Sequence, residues 1–137
     1  MTFLDTSLLV RRYAGRRGRG IKGIDGGVWL SEIARVEFPS AIRRRMRDGT
    51  LGGDEGRRVL AAFAGDFESC LRIPVDGAVL DRAALLVDRH PLHSLDAIQL
   101  ASALLASEGA PARLRFGSAD ERLNSAAEAE GLEILRA

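Results

Sequence analysis

The sequence predicts an α/β fold in which a central, mainly parallel sheet lies between two layers of helices. Short apolar segments typical of strands alternate along the whole chain with longer segments whose apolar residues recur at helical spacing. The length of 137 residues suits one compact domain, and a composition of 46% hydrophobic and 28% charged residues is that of an ordinary globular protein. We therefore expect residues 1–137 to form a single three-layer α/β/α sandwich.

The predicted elements are separated by turn-forming residues. Segment 15–27 is rich in glycine and arginine and too irregular for a helix, so we expect a mobile loop there. The helix at 96–108 is apolar on nearly every face, which is typical of a buried helix, and the Gly-Ala-Pro segment at 109–111 ends it. Strands are predicted at 2–4, 28–30, 71–75, 114–117 and 132–135, and helices at 7–12, 32–47, 54–67, 78–89, 96–108 and 119–130.

Local signals add expectations about the ends and faces of these helices. Ser31 is a plausible N-cap of the second helix, and Pro39 should kink or restart that helix because proline lacks a backbone donor. Ser118 and Glu121 have the spacing of a capping box for the last helix. The residues expected to face the core are Ile33, Val36 and Ile42 in the second helix, Val59, Leu60 and Phe63 in the third, and Leu80, Ala83, Ala84 and Val87 in the fourth.

Charge is distributed unevenly although the net charge is only +1. Residues 1–60 contain 13 basic and 7 acidic side chains (+6), whereas residues 61–137 contain 7 and 12 (−5). The basic excess lies in two arginine-rich clusters, at 11–22 and 43–47. A basic face suits a phosphate-bearing partner, because arginine forms paired hydrogen bonds with phosphate, and a solvated surface explains either cluster equally well.

The cysteine content and the apolar segments indicate a compartment. The single cysteine, Cys70, cannot form an internal disulfide, so a reducing cytoplasm fits. The longest uncharged apolar run, at 97–107, is too short to cross a bilayer, and no signal peptide precedes the first apolar segment. We therefore expect a cytoplasmic protein with no membrane partner.

Four acidic residues occupy informative positions. Asp5 directly follows the first predicted strand inside an apolar segment, and Asp120 follows the fourth. Asp96 opens the most apolar helix, and Glu37 lies within the second helix. Each acid also has an ordinary explanation, since an acidic side chain can cap a helix, stabilise its first turn or lie in solvent.

Considered together, the four acids indicate a metal site. The carboxyl ends of parallel strands lie at one edge of a sheet, where ligands bind, so acids that follow the strands are expected to converge there. Clustered carboxylates repel one another and have raised pKa values unless a cation neutralises them, so the cluster implies a hard divalent ion. Mg²⁺ or Mn²⁺ fits, because both prefer oxygen ligands and the chain lacks the Cys/His set of a zinc site.

The segments that contain these acids resemble those of PIN-domain proteins. The matching segments are Asp-Thr-Ser at 5–7, Val-Glu-Phe-Pro-Ser-Ala at 36–41, Leu-Asp-Ala-Ile-Gln-Leu-Ala at 95–101, Ser-Ala-Asp at 118–120 with Arg-Leu at 122–123, and Ala-Glu-Gly-Leu at 129–132. They follow one another in the right order and spacing over essentially the whole chain. More narrowly, the chain resembles the VapC-type toxins of bacterial toxin–antitoxin pairs.

The resemblance implies a metal-dependent endoribonuclease that cleaves RNA phosphodiester bonds with a metal-activated water. The residues that it implies around one or two Mg²⁺ or Mn²⁺ ions are Asp5, Glu37, Asp96 and Asp120. Asp5 and Asp96 would be the main ligands, and the other two would bind a second ion or orient water. Thr6 or Ser118 would hydrogen-bond a ligand carboxylate or a metal-bound water. A homodimer and a cognate antitoxin protein that covers the active-site groove are also implied.

Two features depart from the family pattern. Many relatives have histidine where this chain has Gln99, beside the acidic set, and loop 15–27 belongs to no motif.

A phosphotransfer protein of the receiver or haloacid-dehalogenase type would also place an aspartate after its first strand. Those proteins need a lysine late in the chain, which is absent here, and the dehalogenases need a second acid where Ser7 stands. The alternative kept open is a non-catalytic PIN-like module that binds nucleic acid or protein.

Overall fold

A computed structural model describes residues 1–110 and 112–135, in which an all-parallel sheet of five strands is flanked by six helices. The strands are β1 (Thr2–Leu4), β2 (Val28–Ser31), β3 (Leu71–Ile73), β4 (Arg115–Gly117) and β5 (Glu133–Ile134). The helices are α1 (Thr6–Ala14), α2 (Ala34–Arg47), α3 (Gly53–Ser69), α4 (Gly77–Arg89), α5 (Ser94–Gly109) and α6 (Glu121–Ala129). The predicted alternation of strands and helices around a parallel sheet is confirmed. Position 111 of the predicted break at 109–111 lies outside the described residues.

The first strand of the chain lies at the centre of the sheet. The strand order is β3-β2-β1-β4-β5, and Thr2 pairs with Val28 of β2 on one side and with Arg115 of β4 on the other. The chain moves outward from β1 through β2 and β3, then crosses back to β4 and β5. The carboxyl end of β1 is therefore the topological switch point, the place where open parallel sheets bind ligands.

Each face of the sheet is covered by a hydrophobic core of its own. Helices α1, α2 and α3 form a core that is rich in aromatic rings, in which Phe38 and Phe63 stack with their centroids 3.9 Å apart. Helices α4, α5 and α6 form a core that consists mostly of alanine and leucine, and α5 is buried as predicted. Phe3 belongs to the second core and Leu4 to the first, because successive side chains of a strand point to opposite faces. The three-layer α/β/α prediction is confirmed.

Helix α2 begins later than predicted, and at Pro39 it does not restart. Ser31 is the last residue of β2 rather than an N-cap, and its hydroxyl accepts a hydrogen bond from the Ile33 N–H at 3.2 Å. The helix continues through Pro39 without a restart. Phe38 and Ile42, which are fully buried on either side of the proline, pack both parts of the helix against one core. That burial outweighs the loss of one backbone hydrogen bond.

Two predicted apolar faces are wrong in part. On α2, Val36 is 70% exposed rather than buried. On α4 the buried residues are Val79, Ala83 and Leu86. Of the four residues predicted to face the core there, three are exposed instead: Leu80, Ala84 and Val87. Periodicity misidentified the buried side of α4 because apolar residues occur on almost every side of that helix. Within the part of the chain that the structure describes, no helix is both long and apolar enough to span a membrane.

Segment 15–27 contains neither a helix nor a strand, as predicted. Arg12 holds its middle against α1, since its Nε donates to the carbonyl of Gly20 at 2.5 Å and its guanidinium also donates to the carbonyl of Lys22 at 2.9 Å. Gly20 has a φ of +57°, and a Cβ added there would lie 2.8 Å from the ring of Tyr13. The loop therefore has a defined path over the first helix.

Candidate active site

The turn between β1 and α1 brings Asp5 to the switch point of the sheet. Its N–H donates to the carbonyl of Gly117 at 3.0 Å, so the ends of β1 and β4 are joined. Its carboxylate accepts a hydrogen bond from the Leu8 N–H at 3.0 Å, which makes Asp5 the N-cap of α1. Only 4% of its surface is exposed. Asp5 is thus both a helix cap and a buried carboxylate at the edge of the sheet.

Two serine hydroxyls hold the carboxylate of Asp5. The Ser118 hydroxyl donates to Oδ2 at 2.6 Å, and the Ser7 hydroxyl lies 2.8 Å from Oδ1 and 3.0 Å from Oδ2. Burial raises the pKa of Asp5 above its ordinary value, and the hydrogen bonds from Ser118, Leu8 and Ser7 lower it without reversing that effect. The charge of Asp96 raises this pKa further. Asp96, which is half-buried at the start of α5, is therefore close enough to Asp5 for the two charges to repel.

A second set of hydrogen bonds holds Glu37 beside the same turn. The Thr6 hydroxyl donates to Oε1 of Glu37 at 2.9 Å. The amide nitrogen of Gln99 donates to that same oxygen at 2.7 Å and to the Thr6 oxygen at 3.0 Å. Side chains from α1, α2 and α5 therefore converge at Thr6, the residue that directly follows Asp5.

Asp120 lies in the turn between β4 and α6 and caps α6. Its carboxylate accepts a hydrogen bond from the Arg122 N–H at 2.9 Å, so Asp120 is the N-cap and the predicted capping box of Ser118 and Glu121 is wrong. The Ser118 hydroxyl instead accepts from the Asp120 N–H at 3.0 Å while it donates to Asp5. The two turns are therefore joined through one hydroxyl group.

Sequence reasoning did not identify two residues that support this junction. Ser7 contacts Asp5 and also accepts a hydrogen bond from the Ala119 N–H at 3.0 Å. The buried amide of Asn124 accepts from the N–H of Ser118 at 3.1 Å and donates to its carbonyl at 3.0 Å, which fixes the backbone of that turn. Their spacing was the available signal, because Ser7 follows Asp5 by two positions and Asn124 lies one helical turn after the α6 cap.

Gln99 was also placed outside the site by sequence reasoning, as a residue beside the acidic set. The structure makes it a direct partner of Glu37 and Thr6. It lies three residues after Asp96 on α5, a helix that is otherwise almost entirely apolar on its buried sides. A long polar side chain at helical spacing from an acid, inside a buried helix, was the signal that could have identified it.

The oxygen donors at this edge suit a hard divalent cation. Carboxylates are the ligands that Mg²⁺ and Mn²⁺ prefer, and a cation beside Asp5 would offset both the burial of its carboxylate, which is the main cause of the raised pKa, and the smaller effect of Asp96. Across residues 1–110 and 112–135, no three Asp, Glu, His or Cys side chains form a group that could hold a metal ion. Mg²⁺ is commonly bound through one or two carboxylates and several waters, and the Asp5–Asp96 pair provides that number.

A basic groove of about 530 Å³ lies beside Ser7, one of the two serines that contact Asp5. Ser7 of α1 and Ala119 of the β4–α6 turn, whose N–H donates to Ser7, form part of its lining. Its basic residues are Arg11, Arg44 and Arg45, and Asp48 also lines it. Arg44 and Arg45 belong to the second arginine-rich cluster of the sequence, so the groove extends from that cluster to Ser7, a hydrogen-bond partner of Asp5.

Comparisons with known proteins agree with this architecture. The family model of the PIN domain matches residues 2–129, whereas no curated protein sequence matches the chain. A toxin–antitoxin complex from Klebsiella pneumoniae has a chain that is 19% identical, with 88% of this chain and 87% of that chain covered and a TM-score of 0.61. FitAcB from Neisseria gonorrhoeae is 16% identical, with 99% and 97% covered and a TM-score of 0.65.

A third solved structure is similar over its full length. The toxin VapC20 of Mycobacterium tuberculosis, which cleaves the sarcin-ricin loop, is 18% identical, with 100% of both chains covered and a TM-score of 0.66. At these identities the likeness to solved structures is one of fold. The family match, by contrast, extends over nearly every described element and all four predicted acids, and on that ground the chain belongs to the PIN domain family.

Proposed function

We propose that this chain is a metal-dependent endoribonuclease and the toxin of a toxin–antitoxin pair. The observation that carries the proposal is the Asp5 carboxylate, buried at the switch point, held by two serines and repelled by Asp96. Burying a carboxylate near a second one is unfavourable without a positive charge, which favours a site that binds a divalent cation. Membership of the PIN family and the likeness in fold to VapC20, a toxin that cleaves the sarcin-ricin loop, support the same function.

In this proposal each acid has a defined role. Asp5 and Asp96 are the main ligands of Mg²⁺ or Mn²⁺, and Glu37 and Asp120 bind a second ion or orient water. A bound divalent ion supplies an activated water and stabilises the charge that develops on the phosphodiester. The side chains of the protein fix the geometry: both oxygens of Asp5 are held by hydroxyl groups, and one oxygen of Glu37 is held by Thr6.

The basic groove supports RNA as the substrate. A nucleic-acid strand carries one negative charge per phosphate, and arginine is suited to bind it because the guanidinium group forms paired hydrogen bonds. Arg11, Arg44 and Arg45 line the groove that begins at Ser7, next to the carboxylate of Asp5. A strand that follows these arginines would pass its phosphodiester bonds over the acidic edge.

The proposal includes partners and a compartment. We propose a cognate antitoxin protein that covers the active-site groove, which the likeness to the toxin–antitoxin complex from Klebsiella pneumoniae supports. We also propose a homodimer in the cytoplasm, built from single-domain chains that span 1–137. The large apolar side chains exposed on α4 are consistent with a protein–protein contact, and they are Leu80, Leu85 and Val87.

The test compares the purified wild-type protein with Asp5→Asn and Asp96→Asn. We expect the wild type to cleave RNA only when Mg²⁺ or Mn²⁺ is present, and to inhibit growth when expressed. Both variants should keep the wild-type circular dichroism spectrum and lose both effects, because asparagine is similar in shape but a poor ligand for these ions. Undiminished cleavage by either variant would refute the proposed site.

The same assays separate the toxin from the non-catalytic alternative. A binding module would retain RNA without cleaving it, and its affinity would not depend on a divalent ion. A small upstream reading frame that encodes a DNA-binding protein would support the toxin function over that of a housekeeping nuclease. Relief of growth inhibition when this neighbour is co-expressed would identify it as the antitoxin.

A further inference from the structure

Gln99 is a buried amide whose hydrogen bonds are incomplete. Only 3% of its surface is exposed, and its nitrogen donates to Glu37 and Thr6. Its carbonyl oxygen has no hydrogen-bond partner within the described part of the chain. Burying an unsatisfied acceptor lowers the stability of a fold, so an apolar residue would suit this position of α5 better if packing were the sole requirement. A role in the site accounts for the amide.

The amide belongs to a closed ring of three hydrogen bonds. Thr6 donates to Oε1 of Glu37, and Gln99 donates to that oxygen and to the Thr6 hydroxyl. The opposite orientation of the amide would bring its oxygen against a carboxylate and leave two acceptors facing each other, so the nitrogen must face Glu37. Both N–H bonds of Gln99 are used in this arrangement, and the orientation of the carboxylate is fixed.

The ring leaves one oxygen of Glu37 available. Oε1 accepts two hydrogen bonds, whereas Oε2 has none from any residue that the structure describes. An oxygen that is fixed in direction and free of protein donors can accept a hydrogen bond from a water or bind a cation without first breaking another contact. Gln99 suits this task because its amide donates a hydrogen bond and carries no charge. A positive side chain would compete with a cation, and a negative one would repel Glu37.

We propose that Gln99 is a positioning residue that directs Oε2 of Glu37 towards the divalent ion and its waters. The inference rests on the proposed function and deepens it, because it assigns a role to an uncharged side chain whose hydrogen bonds go to Glu37 and Thr6. Gln99 acts through Glu37, so its loss affects metal affinity first and cleavage as a consequence.

The experiment measures Mn²⁺ binding to the metal-free protein by electron paramagnetic resonance, with no RNA present. Gln99→Met keeps the length of the side chain and removes both donors. We expect its Mn²⁺ dissociation constant to rise about tenfold or more, the usual effect of losing a group that orients a metal ligand. The melting temperature in EDTA should equal or exceed that of the wild type, because the unsatisfied acceptor is also removed. An unchanged Mn²⁺ affinity would overturn the inference, as would a large fall in the melting temperature.

Two further variants isolate the donated hydrogen bond. Gln99→His keeps one N–H donor that can face Glu37, so its Mn²⁺ affinity should lie closer to the wild type than that of Gln99→Met does; equal losses would overturn the inference. The matched control is Ser102→Ala, which removes a fully buried hydroxyl from the same helix, where it donates to the Ile98 carbonyl at 2.7 Å. Its Mn²⁺ affinity should remain at the wild-type value, and a loss as large as that of Gln99→Met would show that any disturbance of α5 has this effect.

The test of the positioning role of Gln99 can fail or succeed independently of the test of the proposed nuclease function. If the wild type cleaves RNA with Mg²⁺ and Gln99→Met binds Mn²⁺ as tightly as the wild type, the nuclease proposal stands and the positioning role fails. If the wild type binds Mn²⁺ and cleaves no RNA, the nuclease proposal fails, and the difference in affinity between wild type and Gln99→Met still decides the role of Gln99.

Discussion

The β1–α1 and β4–α6 turns are alike in position and different in environment. Each follows one of two paired central strands, and each provides an aspartate, Asp5 or Asp120, whose carboxylate caps the next helix. Asp5 is buried and also accepts hydrogen bonds from two serine hydroxyls. The side chain of Asp120 is 34% exposed, and the Nε of Arg122 lies 3.8 Å from it. Capping alone accounts for the surroundings of Asp120 but not for the burial of Asp5.

A helix cap and a metal ligand have separate requirements. A cap needs an acceptor near a helix N-terminus, which an exposed carboxylate satisfies without loss of hydration. Burying that carboxylate beside another acid raises its pKa and lowers the stability of the fold, and proteins retain such groups mainly where chemistry requires them. We therefore expect the site to depend on Asp5 more strongly than on Asp120.

The largest expected effect is the contrast in cleavage between Asp5→Asn and Asp120→Asn. Residues that merely support metal ligands typically change activity by about 10- to 100-fold, so removal of Asp5, the proposed ligand, should lower kcat/KM for RNA by more than about 100-fold. Asp120→Asn should lower it by about tenfold, since its role is auxiliary and asparagine still caps the helix. Both values are measured on one RNA substrate at saturating Mg²⁺. Equal losses would remove the distinction between the two turns.

A smaller effect is expected when the link between the turns is cut. Ser118→Ala removes the donor to Asp5 and the acceptor of the Asp120 N–H together. We expect kcat/KM to fall by about tenfold and the free energy of unfolding in urea to fall by about 1 to 2 kcal/mol. Ser125→Ala, an exposed serine of α6, is the matched control and should change neither quantity. If Ser118→Ala behaved like this control, the turns would be functionally independent.

The smallest expected effect concerns the metal-free protein. Because burial raises the pKa of Asp5, the unfolded chain loses this proton at a lower pH than the folded protein does, so stability falls as the pH rises through the raised pKa. In EDTA at pH 7, Asp5→Asn should therefore melt a few degrees above the wild type, whereas Asp120→Asn should not.

Thermal denaturation across a pH series checks the origin of that difference. The advantage of Asp5→Asn should vanish when the pH falls below 3.8, the ordinary value for aspartate, because the carboxyl is then protonated in both states. Addition of Mg²⁺ at pH 7 should raise the melting temperature of the wild type and leave that of Asp5→Asn unchanged. An advantage that persisted at low pH would assign the effect to packing rather than to charge.

Most of the fold could be predicted because its signals are local. Periodicity located every strand and helix, and the acid that follows β1 needs only the sequence around it to be noticed. The buried side of α4 could not be predicted, since Leu80 and Val87 are exposed on a helix where apolar residues lie on nearly all sides. The end of β2 was misassigned because Ser31 has the preferences of a cap, and pairing with β3 extends the strand to include it.

The contacts within the candidate site were harder to predict than its acids. Ser118 contacts Asp5 only because β4 pairs with β1, and a single sequence does not indicate which strands are neighbours. The hydrogen bonds of Gln99 depend on how α5 is rotated above the sheet, which is a property of tertiary packing. The metal-binding roles of Asp5, Asp96, Glu37 and Asp120 stay predictions, which the variants above test.

The junction of the two turns also sets an order of events during synthesis. One of the two hydroxyls that hold Asp5, that of Ser118, comes from a residue 113 positions later. At a translation rate of about 5 to 20 residues per second, Asp5 emerges from the ribosome roughly 6 to 23 s before Ser118 does. The nascent chain therefore cannot assemble its acidic edge until nearly all of it has been made. A cell that produces this protein has that interval in which the chain is present and its centre is still incomplete.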